Sequence, residues 1–275
     1  FAIGGEASGE REANEPGRTR RATTPTALGC REALRDLKTI LDGGPRVSSL
    51  DCISSCGVVS SRLDRHRIRS LGREVIVSTL EFFFDYGSPY SHLANGVIEG
   101  FAKSAGADLV YRPMLLGGVF KATGNQSPIF ETIEAKRNYG GDSLRRTSAL
   151  HSVPISMNPH FPINSMGLMR LAVAAQHEGV FEAYHAAAFA GLWQEGLNLG
   201  DVEVQAEMIR AAGLDAEKLL GRSGDDDVKA ELRATTDEAV ARGAFGAPTF
   251  FVGDEMFFGV DHLPHLSKCL SEQAD

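Results

Sequence analysis

Glu74–Phe84 reads EVIVSTLEFFF, a run rich in β-branched and aromatic residues that leads into Asp85-Tyr86 and then Gly-Ser-Pro-Tyr-Ser. A strand that is apolar at consecutive positions is buried on both faces, whereas a half-exposed strand alternates. The turn that follows fits a sheet covered by helices. Ser88 reads as a helix N-cap and Pro89 as the first helical residue, where a missing N–H costs nothing. Leu93, Val97, Ile98 and Phe101 then fall on one face of a helix over Ser88–Ser104. Ala107–Leu116 returns to strand character, and a right-handed βαβ crossover makes the two strands parallel.

The middle of the chain is helical: Ile129–Leu150, Asn164–Glu178, Phe181–Trp193, Val202–Ala212 and Asp225–Ala244 carry helical patterns, several dense in Ala. Phe189 and Trp193 read as core. Strand character then resumes at Thr249–Val252 and Glu255–Phe258, joined by Gly253-Asp254, a pair suited to a tight hairpin. Asp261–Leu270 closes with a helix. The order βαβ, helical block, ββα predicts an α/β domain over residues 74–275, a split sheet with an all-helical insert at about residues 117–244.

Residues 1–73 differ in kind. They hold 13 Lys and Arg against 9 Asp and Glu, are rich in Gly, Ser and Arg, and offer one short helical pattern, Ala27–Leu41, before Gly43-Gly44-Pro45 breaks it. This composition predicts a disordered leader. As an organellar targeting segment, such as a mitochondrial one, it would be unusual, because Glu6, Glu10, Glu12 and Glu15 are out of place in an acid-poor transit peptide. Cys30, Cys52 and Cys56 lie in the leader and Cys269 alone in the domain. A disulfide framework is thereby excluded for the domain, and the simplest setting is an intracellular, reducing one, cytoplasmic or organellar.

No run approaches the roughly 18 apolar residues of a spanning helix. The net charge of −8 speaks against polyanion binding, since nucleic acid and anionic membranes are held by Lys and Arg. The expected partner is a small molecule. Metal ligation is not expected: His262, His265 and Cys269 share one helical stripe that could hold zinc, but a terminal helix more often packs such a stripe.

Ser88-Pro89-Tyr90-Ser91 spells Cys-x-x-Cys with oxygen for sulfur, at the C-terminal end of the first strand, where open α/β sheets bind ligands. On its own Ser88 is an ordinary cap. A second signature changes the reading: Phe245-Gly246-Ala247-Pro248-Thr249 leads directly into an apolar strand. A Pro at the head of a strand facing a helix N-terminus is where a cis bond exposes backbone N–H and C=O groups to an extended peptide. Asp85 is expected to brace the loop before Ser88.

FFFDYGSPYSHLA and GAFGAPTFFVGDEMFFGVDHL together resemble the DsbA-like thioredoxin-fold superfamily, and within it the 2-hydroxychromene-2-carboxylate isomerases and kappa-class glutathione transferases. The resemblance runs from about Glu74 to Leu270. It includes Gly124-Asn125-Gln126-Ser127-Pro128 and the spacing Lys136, Tyr139, Asp142, Arg145 in the insert. Arg146 stands where these families often have Trp, and His262 where they have Arg.

The resemblance implies a glutathione-dependent isomerase: cis-trans isomerisation of an aromatic enone carboxylate by reversible glutathione addition. A serine hydroxyl at a helix N-terminus can donate to glutathione's thiolate, and the helix dipole favours that charge. Thiol–disulfide exchange, by contrast, needs a thiolate at the position Ser88 occupies. Ser88 is the implied catalytic residue. Ala247 and Pro248 are implied to pair with the cysteinyl unit, Asp261 to hold the γ-glutamyl end, and Asn125 and Lys136 to meet glutathione or the substrate carboxylate. Read without the resemblance, Asp261 is an N-cap and Lys136 a solvated helix position. A kappa-type transferase and a non-catalytic binding module are the rival readings, and a homodimer is left open.

Overall fold

The computed structural model describes residues 65–70 and 73–274, with side chains from Val77 to Gln273. Most of the stretch expected to be a leader, including the Ala27–Leu41 helical pattern and Cys30, Cys52 and Cys56, lies outside the described residues. Within that stretch, β1 (Arg65–Ser70) pairs antiparallel with the first half of β2 (Arg73–Phe84), in the register Arg65 to Ser78 through Ser70 to Arg73.

The second half of β2 is the spine of the sheet. It pairs parallel with β3 (Asp108–Pro113), Thr79 opposite Asp108, and antiparallel with β4 (Thr249–Val252), Leu80 opposite Val252. β4 turns through Gly253-Asp254 into β5 (Glu255–Phe258), with Gly253 at φ 59°, as the sequence pattern predicts. The parallel β2/β3 pair is joined by α1 (Pro89–Ala105), the expected βαβ unit.

Consecutive phenylalanines on β2 feed two cores because successive side chains on a strand point to opposite faces. Phe82 and Phe84 join Ile98 of α1 and Phe250 in the larger one, where the Phe82 and Phe250 rings stack at 5.2 Å. Phe83 and Phe251 face the other side, and are covered by Val119 of α2 (Leu116–Thr123) and Ala239 of α8 (Asp226–Ala241). From Phe82 to Phe84 the strand is buried on both faces, as read, whereas from Val77 to Glu81 buried and half-buried positions alternate.

Between α2 and α8 lie a 3-10 turn at Pro128–Phe130, then α3 (Glu134–His151), α4 (Met166–His177), α5 (Phe181–Trp193), α6 (Val202–Ala211) and α7 (Ala216–Ser223). Phe189 and Trp193 of α5 are buried. Several boundaries differ from expectation. The strand read to Leu116 stops at Pro113, and α2 follows at once. The helix read from Ile129 begins at Glu134, because the Glu131 side chain holds the Ile133 N–H at 2.9 Å in an extended link. α7, capped by Asp215 through the Lys218 N–H, was not foreseen.

A 3-10 turn at Val260–His262 precedes α9 (Leu263–Ala274). Its buried positions are Leu263, Leu266, Cys269 and Leu270, while His262 and His265 are exposed. Of the three residues of the stripe expected to pack, Cys269 alone is buried: leucines carry the packing, one position round the helix.

Candidate functional site

The end of β2 is tied down from three directions before it reaches Ser88. The Asp85 carboxylate, fully buried, accepts the Gly87 N–H at 2.8 Å through one oxygen, and through the other the Leu116 N–H at 2.7 Å and the Ser165 hydroxyl at 3.0 Å. It thus braces its own loop, as expected, and also caps α2 from a distance and anchors the start of α4. Burial pushes the Asp85 carboxyl above its ordinary range, and the Leu116 and Gly87 amides and the Ser165 hydroxyl pull it part of the way back.

Tyr86 is gripped by the insert at every polar atom. Its N–H points at the Met169 sulfur at 3.4 Å, its carbonyl accepts from the Trp193 indole at 2.7 Å, and its hydroxyl meets His185 Nδ1 at 3.0 Å. The other ring nitrogen of His185 lies 2.7 Å from the Asn95 side-chain oxygen on α1. That oxygen can only accept, so His185 Nε2 carries the proton and Nδ1 accepts from Tyr86. Burial among Phe84, Tyr111, Phe181 and Phe189 pulls the imidazole down to about 3. It is a neutral strut.

On this support Ser88 caps α1 from an extended conformation (φ −99°, ψ 116°) and accepts the Ser91 N–H at 3.2 Å. Its hydroxyl proton is donated across the fold to the Ala247 carbonyl at 2.9 Å. The Ala247–Pro248 peptide is cis, as read from the sequence. The Ala247 N–H has no hydrogen-bond partner among the described residues. One turn into the helix, the Ser91 hydroxyl is buried without a partner. So is Nδ1 of His92, whose Nε2 meets the Pro154 carbonyl at 2.9 Å.

The residues singled out in sequence are brought together unequally. Ser88, Ala247 and Pro248 form one contact. Asn125 reaches the same loop from the insert, donating to the Phe245 carbonyl at 2.9 Å. Asp261 lies beyond the other flank, two positions after Gly259, whose N–H meets the Pro248 carbonyl at 3.0 Å. It caps nothing: it sits inside the 3-10 turn behind Gly259, exposed and without a partner among the described residues. Lys136 makes no hydrogen bond or ion pair with any of these among the described residues. Its ammonium is exposed and pairs with Glu131 at 3.5 Å, on α3, which leans on α1 through the Tyr90 hydroxyl and the Gly140 carbonyl at 3.5 Å.

Ser91, Tyr86, Ser165 and His185 were not foreseen as parts of the site. Ser91 was legible as the second oxygen of Ser-x-x-Ser, but the others are joined only by packing. Gly246 has its own reason: a Cβ there would lie 2.8 Å from the Phe258 ring, so any larger residue forces that ring or the loop to shift. Among the described residues the free cysteine is Cys269, buried on α9.

The family model for the DSBA-like thioredoxin domain matches residues 79–271. The chain is 29% identical over 195 residues to a 2-hydroxychromene-2-carboxylate isomerase of Sphingobium xenophagum, covering 71% of this chain and 99% of that one. It is 28% identical over 209 residues to glutathione S-transferase kappa 1 of Rattus norvegicus, covering 70% and 91%. A solved structure of a 2-hydroxychromene-2-carboxylate isomerase is similar with a TM-score of 0.63 at 27% identity, over 71% of this chain and 95% of that one.

Proposed function

The chain belongs to the DSBA-like thioredoxin domain family, and from that premise we propose that it is a glutathione-dependent isomerase, acting on an aromatic enone carboxylate by reversible addition of glutathione. The observation that carries the reading is the Ser88 hydroxyl at the N-terminus of α1, 2.9 Å from the carbonyl that precedes a cis proline. The described residues place no thiol there, which leaves disulfide exchange without its nucleophile. The similarity to isomerases, in sequence and in structure, supports the same reading.

The residues present fit a peptide thiol. Ala247 offers an unpaired N–H, and its carbonyl is held only by the hydroxyl that the reaction needs, so an extended peptide can pair with both edges. Asp261 offers an unpaired carboxylate to an ammonium group. Asn125 and Lys136 supply an amide and a cation for carboxylates, and Lys136 must first leave Glu131. When bound, glutathione supplies a sulfur nucleophile that can add to a conjugated enone and leave again. Ser88 turns its proton from Ala247 toward the sulfur and holds the anionic form, with the α1 dipole acting in the same direction. The buried Asp85 and Tyr86 keep the hydroxyl in place.

The test is a pair of assays on the same preparation. Isomerisation of a cis aromatic enone carboxylate should require glutathione catalytically and leave it unconsumed. Stoichiometric consumption of glutathione on an activated aryl halide, with no isomerisation, would replace this reading by the transferase one, to which the kappa-class similarity points. Glutathione binding with neither activity would leave a binding module.

A further inference from the structure

Away from Ser88, α2, α4 and α8 enclose a groove of about 530 Å³. Its lining includes Lys121, Arg170, Lys229 and Arg233 and a single acid, Asp237. Residues 74–275 carry 15 Lys and Arg against 27 Asp and Glu, so four cations around one groove run against the composition of the domain. Several cations elsewhere are met by acids, Arg222 by Asp225 and Asp227 and Arg242 by Glu81 and Glu238, although Lys103 and Arg210 have no ion pair among the described residues. In the groove most are unpaired. Lys121, Arg170 and Arg233 have no ion-pair or hydrogen-bond partner among the described residues, and Lys229 meets only the exposed Asp226 at 3.2 Å. Lys229 and Arg233 are also four positions apart on one helix, where like charges repel. Repulsion of this kind is relieved by an anion.

We propose that this groove is a second binding site, for an aryl carboxylate, separate from the Ser88 site. The cations are interleaved with Leu115, Met166 and Leu232, an apolar wall that an inorganic anion would leave uncovered. Arginine forks match a carboxylate edge to edge, and their planes also stack on aromatic rings. None of Ser88, Asn125, Lys136, Ala247, Pro248 and Asp261 lines the groove, so the assignment does not depend on the glutathione reading. The groove is linked to the Ser88 loop through Asp85. Leu115 and Met166 are the immediate chain neighbours of Leu116 and Ser165, the two residues that donate to one oxygen of Asp85.

Calorimetric titration of the full chain with 1-naphthoate tests the assignment. Saturable naphthoate binding is expected at a site that Ser88→Ala leaves intact, weakening as salt rises. The double variant Arg170→Gln/Arg233→Gln should bind at least about tenfold more weakly, as expected for lost charged hydrogen bonds. Lys121→Glu, at an exposed position, should weaken binding in the same direction and carries the test if the double variant fails to fold. Ser88→Ala and saturating glutathione should leave naphthoate affinity unchanged. The assignment is overturned if the charge variants bind naphthoate like the parent chain, or if glutathione displaces naphthoate competitively, which would put the carboxylate at Ser88. Acetate or inorganic phosphate binding as tightly as naphthoate would overturn it too, because the apolar wall would then contribute nothing.

Discussion

Ser88→Ala separates a helix cap from a catalytic donor, because the two roles have different magnitudes. The hydroxyl accepts the Ser91 N–H and donates to the Ala247 carbonyl, and its loss leaves a buried amide and a half-buried carbonyl without that partner. A lost cap and a lost neutral hydrogen bond together cost about 2 kcal/mol. For a domain of roughly 200 residues that is about 4–8 °C of melting temperature. Removing a preorganised donor to an anion, in contrast, typically lowers turnover by about 10²–10³. The expected outcome is a folded variant, melting a few degrees lower, in which the thiol pKa of bound glutathione, followed by thiolate absorbance, rises toward its free value. Isomerase turnover should collapse at neutral pH and recover partly in alkali, where thiolate forms unaided. If turnover stayed within a few-fold of the parent while only the melting temperature fell, Ser88 would be a cap, and the catalytic assignment would be abandoned.

Ser88→Cys should convert the site to exchange chemistry: its thiolate attacks oxidised glutathione, a mixed disulfide forms and one glutathione thiolate leaves, as intact mass would report. A Ser88→Cys chain that stayed unmodified would argue against a peptide-thiol site. Gly246→Ala should destabilise by about 1–3 kcal/mol and weaken glutathione binding, because the new methyl meets the Phe258 ring. Adding Phe258→Leu should restore part of both, and unaltered binding in Gly246→Ala alone would separate the loop from the ligand. The contribution of the buried histidines to stability should also fall on acidification. His185 ionises at about 3 when folded against the ordinary 6.5, so its contribution is complete above 6.5 and is lost as pH falls toward 3, with at most about 1.4 kcal/mol per pH unit. His92, also lowered by burial, acts in the same direction. Denaturant titrations from about pH 7.5 to about pH 5 should show a flatter slope in His185→Gln, and an unchanged slope would refute the strut.

Patterns that live within a few residues were legible. The apolar run to Phe84, the Ser88-Pro89 cap, the α5 span Phe181–Trp193 and the Gly253-Asp254 hairpin all depend on local propensity or strand and helix periodicity, and each stands where it was read. The motifs around Ser88 and Pro248 could be paired before the structure only through resemblance. Their contact spans most of the domain, and no local rule joins them.

What sequence could not decide was fixed by groups reaching across the fold. α2 begins at Leu116, a position that looks like the end of a strand, because Asp85 accepts its N–H and Thr236 accepts that of Leu115. Neither partner is near in sequence, so propensity alone carried the strand too far. Asp261 looked like a cap and is a free carboxylate, because Gly259 at φ 89° closes the turn in its place. Lys136 matched a motif, yet its ammonium rests on Glu131, a choice made by the extended link before α3. The sequence by itself determined the α/β order, the strand covered on both faces and the oxygen-for-sulfur exchange at Ser88 and Ser91. Only the tertiary structure decided which of the hydroxyl, amide and charged groups were satisfied, since a polar side chain has one local sequence but takes its partner from whatever packing brings within hydrogen-bond reach.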